Sequence, residues 1–291
     1  MARLRMKAPI DDITNYFNNL SLRVFSRSNI EEILAENREF WRFSNSVTVN
    51  KFIEFLLEET KLEIVRFEFP HRNIIRYTWG KALFYELVSS LAPDSYFTHY
   101  TSMFFHELTE QIPNTIYLNS EQPRKNFGSR ELEQSRIDAA FKNSVRVSKN
   151  IGSYNNQKIC LLNGMYTGQL GVIEIEGPDG AKILATSVER TLIDIAVRPV
   201  YSGGVFEVQK AYRMAKGKIS VNRLSAMLKK LNYIYPYHQA IGFYLENAGV
   251  YKESSVNLLK KHGMDYDFYL THRMTDTLYS KKWRLYYPRG L

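Results

Sequence analysis

Ser44-Asn45-Ser46-Val47-Thr48-Val49-Asn50-Lys51-Phe52-Ile53-Glu54-Phe55-Leu56-Leu57, with Leu62-Glu63-Ile64-Val65-Arg66-Phe67-Glu68-Phe69 and Asn73-Ile74-Ile75-Arg76-Tyr77-Thr78 close behind it, decides the fold. Val49, Phe52, Ile53, Leu56 and Leu57 keep helical spacing without a miss, and Ser44-Asn45-Ser46 offers cap residues at the helix start. The second run alternates strictly, as a half-buried strand does. Pro70-His71-Arg72 supplies the turn into the third run, so the two read as a β-hairpin. Working upstream, Ser28 and Glu31 have the spacing of a capping box for a helix burying Ile30, Ile33 and Leu34. Asp11-Asp12 precede Ile13, Tyr16, Phe17 and Leu20, an amphipathic stripe with acids in its first turn. Three helices and then a hairpin within about eighty residues describe a winged helix-turn-helix. Residues 81–92 continue as a helix, which sets the first domain at 1–92 and leaves 93–291 as the second.

In a helix-turn-helix the later helix enters the major groove and its N-terminal side chains face base edges. Here those are Ser44, Asn45, Ser46, Thr48, Asn50 and Lys51, short polar groups able to donate or accept. His71 and Arg72 at the hairpin tip are placed to reach phosphate or the minor groove. Winged helices also serve as protein-docking modules. The near-neutral balance of residues 1–80, with 12 Lys+Arg against 11 Asp+Glu, and Glu54, Glu58 and Glu59 on the third helix favour that alternative. Those acids lie toward the helix end away from the basic start.

The second domain opens with Tyr96-Phe97 and a helix from Thr98, with Tyr100, Met103 and Phe104 inward. A short strand at 115–118 and a mobile loop at 119–130 follow. Strands are expected at 157–162 and in a hairpin of 171–176 and 182–185, turned by Gly177-Pro178-Asp179-Gly180. Thr186-Ser187-Val188-Glu189-Arg190-Thr191-Leu192-Ile193-Asp194-Ile195-Ala196-Val197-Arg198-Pro199 reads as a short helix: Thr186 and Glu189 have capping-box spacing, and Val188, Leu192 and Ile195 form a buried stripe. Arg198 falls in its last turn and Pro199 stops it. Helices at 204–216, 220–231 and 236–248 and a β-rich run at 281–287 complete the chain. The expected class is α+β: an N-terminal winged helix-turn-helix followed by a mixed α/β domain ending in a helical, basic region.

Charge is unevenly placed. The net +9 lies wholly in residues 200–291, with 15 Lys+Arg against 6 Asp+Glu. Such a surface attracts phosphate backbones or acidic proteins through salt-sensitive forces, and Lys229, Lys230, Lys260 and Lys261 are its candidate phosphate contacts. A merely solvated face is the bland reading. No apolar run approaches the ~20 residues that span a bilayer. The basic N-terminus lacks an apolar h-region, and lone Cys160 reads as a buried thiol in a reducing setting. A cytoplasmic protein with no membrane partner is expected.

Catalytic patterns are sparse. His106-Glu107 begins like a zincin helix, but position 110 is Glu where a histidine is needed, and the other histidines lack ligand spacing. No P-loop, GxGxxG or nucleophile elbow occurs, so neither a metal nor a cofactor is expected. Glu174 and Glu176 would share a strand face, with Asp179 and Lys182 nearby, loosely as in a metal-dependent nuclease. Alternating Ile and Glu is also the dress of a half-exposed strand, and Pro178-Asp179-Gly180 that of an ordinary turn. Tyr233, Tyr235, Tyr237 and Tyr244 could stack bases, or pack in a core.

Three blocks together resemble the AbiEi antitoxin family of bacterial type IV toxin–antitoxin systems. They are the winged helix at 10–80; Tyr96-Phe97-Thr98-His99-Tyr100-Thr101-Ser102 through His106-Glu107-Leu108 and Ile112-Pro113; and Ala185 to Val208, with Val188-Glu189-Arg190-Thr191-Leu192-Ile193-Asp194 and Gly203-Gly204. Phe105-His106-Glu107-Leu108 departs from the small-residue pattern more common in that family, and the tail beyond 250 does not align with it. The resemblance implies a non-enzymatic autorepressor. It would bind inverted repeats in double-stranded promoter DNA and counteract a nucleotidyltransferase-like toxin, without requiring a stable complex with it, in antiviral defence.

Overall fold

The computed structural model describes residues 9–124 and 131–291. The chain is α+β and divides into two compact units. The first is residues 1–93 with 151–156 and 176–182; the second is 94–150, 157–175 and 183–291. Among the described residues no helix is long and apolar enough to cross a membrane.

The first unit begins with α1 (Ile10–Asn19) and β1 (Val24–Phe25), followed by α2 (Arg27–Asn37), α3 (Val49–Glu59), β2 (Leu62–Glu68), β3 (Asn73–Trp79) and α4 (Phe84–Ser89). α1 buries Ile13 and Phe17, the latter stacked on Trp79 at 4.6 Å. α2 does have a capping box, but it is built from Ser26 and Asn29, not from Ser28 and Glu31. Ser26 still has extended backbone while Ser28 lies inside the helix, and Glu31 turns instead to Arg27 at 3.3 Å. α3 is likewise capped by Thr48, whose hydroxyl accepts from the Lys51 N–H. Ser44–Ser46 therefore lie in the preceding turn and are not the cap. The apolar stripe of α3 is Val49, Phe52, Ile53, Phe55 and Leu56, packed with Trp41 and Trp79 in the core of this unit.

β1, β3 and β2 pair antiparallel in that order, Val24 opposite Thr78 and Leu62 opposite Trp79, and Glu68 pairs with Ser153 of the strand Ile151–Tyr154. Phe67 and Ile74 are buried, whereas Arg66 and Ile75 on the other face are exposed. α4 is shorter than the helix expected at 81–92. The Arg76 guanidinium ties β3 to its end, donating to the Ser90 carbonyl at 2.5 and 3.0 Å.

In the second unit come β4 (Tyr96–Phe97), α5 (His99–Phe105), β5 (Thr115–Glu121) and α6 (Gln134–Lys142). With Ile151–Tyr154 counted as β6, the chain continues with β7 (Gln157–Gly164), β8 (Val172–Glu176), β9 (Lys182–Thr186) and α7 (Val188–Val197). β5 runs parallel to β7 over seven paired positions, Thr115–Lys158 to Glu121–Gly164. β4 lies antiparallel to β5 and parallel to β9. The ladder explains why the loop expected from 119 begins later: Asn119–Glu121 are strand, and 125–130 fall outside the described residues. Cys160 is a buried thiol on β7.

Helices α8 (Val205–Met214), α9 (Val221–Leu231) and α10 (Tyr237–Ala248) gather around α7, with α11 (Glu253–Val256) and a 3-10 turn, Asn257–His262, beyond them. The run expected at 281–287 is a turn followed by a strand: β10 (Phe268–Tyr269) is parallel and β11 (Thr277–Ser280) antiparallel to β12 (Leu285–Pro288). Tyr244 is a core residue, stacked on Tyr212 at 5.1 Å.

Gly242 on α10 lies directly under the Trp283 ring, where an added Cβ would meet Cζ3 at 2.1 Å. Alanine normally stabilises a helix interior by about 1 kcal/mol over glycine. Here the clash reverses the sign. Gly242→Ala is expected to lower the unfolding free energy by about 1–3 kcal/mol, the usual cost of overpacking; urea denaturation measures it, and an unchanged midpoint would refute this packing.

Candidate nucleic-acid interface

The eight polar residues expected at the groove are all exposed: Ser44, Asn45, Ser46, Thr48, Asn50, Lys51, His71 and Arg72. The turn that carries the first of them is tied to α2. Arg38, the residue that ends α2, donates to the Ser44 carbonyl at 2.8 Å and the Val47 carbonyl at 3.0 Å, clamping the turn that leads into α3. The Ser44 and Ser46 hydroxyls meet at 2.7 Å. Val49 and Phe52 face the core, so helical geometry turns Asn50 and Lys51 outward.

One partner escaped the sequence reading. Arg27, on the first turn of α2, donates to the Asn50 side-chain oxygen at 3.1 Å. Twenty-three residues separate them, and no local pattern announces the pair. Bidentate reading of adenine uses both the oxygen and the amide hydrogens of Asn. Arg27, which also pairs with Glu31 at 3.3 Å, therefore competes with a base for that oxygen. His71 and Arg72 are exposed at the hairpin turn.

The basic residues of the last third divide by environment. Lys229 and Lys230 end α9, and both are exposed. Lys261 is exposed in the 3-10 turn, whereas Lys260 is half-buried with its Nζ over the Trp283 ring at 5.5 Å. Lys229 and Lys261 are brought together as lining of one cleft.

Glu174 and Glu176 are exposed on β8. Asp179 is committed to its turn, accepting from the Tyr85 N–H at 2.9 Å and the Ala181 N–H at 3.1 Å. Among the described residues no three His, Cys, Asp or Glu side chains are grouped to hold a metal ion. Tyr233, Tyr235 and Tyr237 are half-buried, with Tyr237 edge-on to both of the others and Tyr235 also against Phe141.

The second unit also holds a buried polar network that joins two sequence blocks. On α7, Arg190 and Asp194 pair at 2.8 Å with side chains 5% and 8% exposed. Asp194 also accepts from Thr98 Oγ1 at 3.1 Å, and His106 donates to the Thr186 carbonyl at 2.6 Å. These contacts bear on two helix starts. Thr98 gives its hydroxyl to Asp194 and does not cap α5. Thr186 bonds Thr191, leaving Ser187 as the cap of α7. Glu189 does not return to its own helix: it takes the Ser220 N–H at 3.1 Å and Arg223 at 2.8 Å, at the positive end of α9.

Beside that pair, Glu121 accepts from Thr167, from the Gln169 N–H and from the Tyr96 hydroxyl. Burial pushes this carboxyl up, but those hydrogen bonds outweigh it and hold it below its ordinary value. His99 is different. It is half-buried between the Tyr117 and Tyr201 rings with left-handed backbone, φ 52°, and its inward Nδ1 has no partner. Burial lowers its pKa to about 4, although Asp194 pulls the other way. Gly203 and Gly204, with φ of 76° and 87°, make the left-handed entry to α8 that side-chain-bearing residues resist.

The sequence matches no protein-family model, and no curated protein is similar to it. The fold is similar to the crystal structure of the RV2827C protein from Mycobacterium tuberculosis, with a TM-score of 0.57 and 13% sequence identity over 94% of this chain and 89% of that one. At that identity the likeness is one of fold.

Proposed function

We propose that this protein is a cytoplasmic DNA-binding autorepressor and antitoxin, with its first unit acting as a winged helix-turn-helix. The element order of that unit supports the reading: α1, β1, α2, α3, then the β2–β3 hairpin. The single observation that carries it is the outward presentation of Asn50 and Lys51 by a helix whose entry turn is clamped through Arg38. In this reading α3 lies in the major groove and the hairpin carries His71 and Arg72 to the backbone. Lys229, Lys230 and Lys261 add phosphate contacts, while Lys260 is occupied by Trp283. The resemblance to the AbiEi family supplies the remaining part: inverted-repeat operator DNA as ligand and a nucleotidyltransferase-like toxin as functional partner, with no catalysis by this chain.

The test is fluorescence anisotropy with the chain's own promoter duplex across a salt series. Asn50→Ala is expected to weaken operator binding by about 1–3 kcal/mol while leaving random duplex unaffected. Lys51→Ala is expected to weaken both and to lower the salt slope by about one. If neither substitution changes affinity, α3 is not the reading helix. If no duplex binds at any salt, the unit is a docking module. Rescue of growth on co-expression with a neighbouring nucleotidyltransferase gene tests the antitoxin half.

A further inference from the structure

The second unit contains a cleft of about 680 Å³ between the end of α9, the start of α10 and the 3-10 turn at 257–262. Its size falls within the ~300–1,000 Å³ typical of small-molecule sites. Its lining is sorted by chemistry. Tyr233, Tyr235 and Tyr237 contribute aromatic surface. Lys229 and Lys261 contribute two exposed ammonium groups from different elements. Asp265 is the one carboxylate among the described lining residues, and Asn222 and Asn232 add neutral donors and acceptors.

Two histidines complete it. His238 donates from Nε2 to the Gly263 carbonyl at 2.6 Å, and His262 meets the Ser225 hydroxyl at 2.9 Å. Their rings stack at 5.5 Å. With Nε2–H engaged, the neutral His238 ring has Nδ1 as an acceptor. Burial holds His238 near pKa 4 and also lowers His262, which the Lys229 ammonium lowers further. Both shifts favour the neutral ring. Among the described lining residues, fixed positive charge comes from Lys229 and Lys261, beside π-surface and hydrogen-bonding groups.

We infer that this cleft binds a phosphorylated nucleoside, its phosphate at Lys229 and Lys261 and its base against the tyrosine wall. Stacking on aromatic side chains suits any base, whereas the asparagines, His238 and Asp265 are of the kind that meets base edges and ribose hydroxyls. The same chemistry arises from a free nucleotide or from the terminal nucleotide of a single strand. This inference does not rest on duplex binding by the first unit; because Lys229 and Lys261 are also the lysines proposed for duplex phosphate, the nucleotide titrations are made without duplex DNA.

The test is calorimetric titration of the full chain with the four ribonucleoside monophosphates, with inorganic phosphate, and with a 5′-phosphorylated single-stranded hexanucleotide. Monophosphates are expected to bind, and Lys229→Glu and Lys261→Glu each to weaken them about tenfold or more. Lys281→Glu, the same charge change at another exposed lysine, is expected to have no comparable effect. Both cleft lysines are solvent-exposed, so their replacement leaves the core intact. Equal affinity for monophosphate and hexanucleotide assigns the free nucleotide; tighter hexanucleotide binding assigns a strand end. No binding of either at millimolar concentration overturns the inference. So does inorganic phosphate binding as tightly as the monophosphates, or affinity unchanged in both cleft variants.

Discussion

Asp194→Ala is expected to lower the unfolding free energy by about 3–5 kcal/mol, read from urea denaturation at pH 7. The carboxylate is the ionic partner of an Arg190 side chain that is only 5% exposed, and it also accepts the Thr98 hydroxyl. Removing it leaves a guanidinium in a dry environment, where the Leu170 carbonyl and Thr167 hydroxyl give it dipoles but no counter-charge. The penalty is that of an uncompensated buried charge, which greatly exceeds the net value of the intact pair. The double variant Arg190→Met with Asp194→Leu is therefore expected to recover most of the loss, since apolar groups of similar volume carry no desolvation cost. A single-variant loss below about 1 kcal/mol would show that the pair is wet.

The second large effect is a pH dependence centred on His99. Its folded-state pKa near 4 lies below the ordinary value of 6.5 because burial disfavours the imidazolium. Between those two values the unfolded chain binds a proton that the folded chain does not, so stability rises with pH across that window. The contribution is complete above about pH 6.5, is lost as pH falls toward 4, and is constant below. A shift of this size corresponds to about 3 kcal/mol. His238 is depressed to a similar value and adds in the same direction. The measurement is urea unfolding at intervals from pH 4 to 7 for the parent and for His99→Asn. Asparagine is chosen because it tolerates the left-handed backbone of this position. The variant's profile is expected to be flatter by about that amount, and parallel profiles would refute the assignment.

Local patterns located the secondary structure well and the cap residues poorly. Periodicity placed α3, β2 and β3, because burial of one face is what creates a period. It misplaced three caps by one to four residues. Ser26 replaces Ser28, Thr48 replaces the 44–46 cluster and Ser187 replaces Thr186, since neighbouring hydroxyls are interchangeable until the backbone chooses among them. Glu189 shows the limit of the capping-box argument. Its spacing from Thr186 fits the box, yet its partners are Ser220 and Arg223, thirty-one and thirty-four residues away. The polar start of α3 was legible because amphipathic spacing turns those residues outward; Arg27 was missed because it reaches Asn50 from another helix.

By itself, the sequence determined the α+β order of elements, the exposed polar start of α3 and the concentration of positive charge after residue 200. All three follow from near-neighbour spacing or from composition, which need no knowledge of long-range contacts. Only the tertiary structure decided how that charge is used. It laid Lys260 over Trp283 and set Lys229 and Lys261 on the lining of one tyrosine-bearing cleft. It also joined Thr98 to Asp194 across ninety-six positions of chain. The physical reason is the same in each case. A buried ion pair, a cation over a ring and a cleft are made by residues whose separation in sequence carries no information about their separation in space.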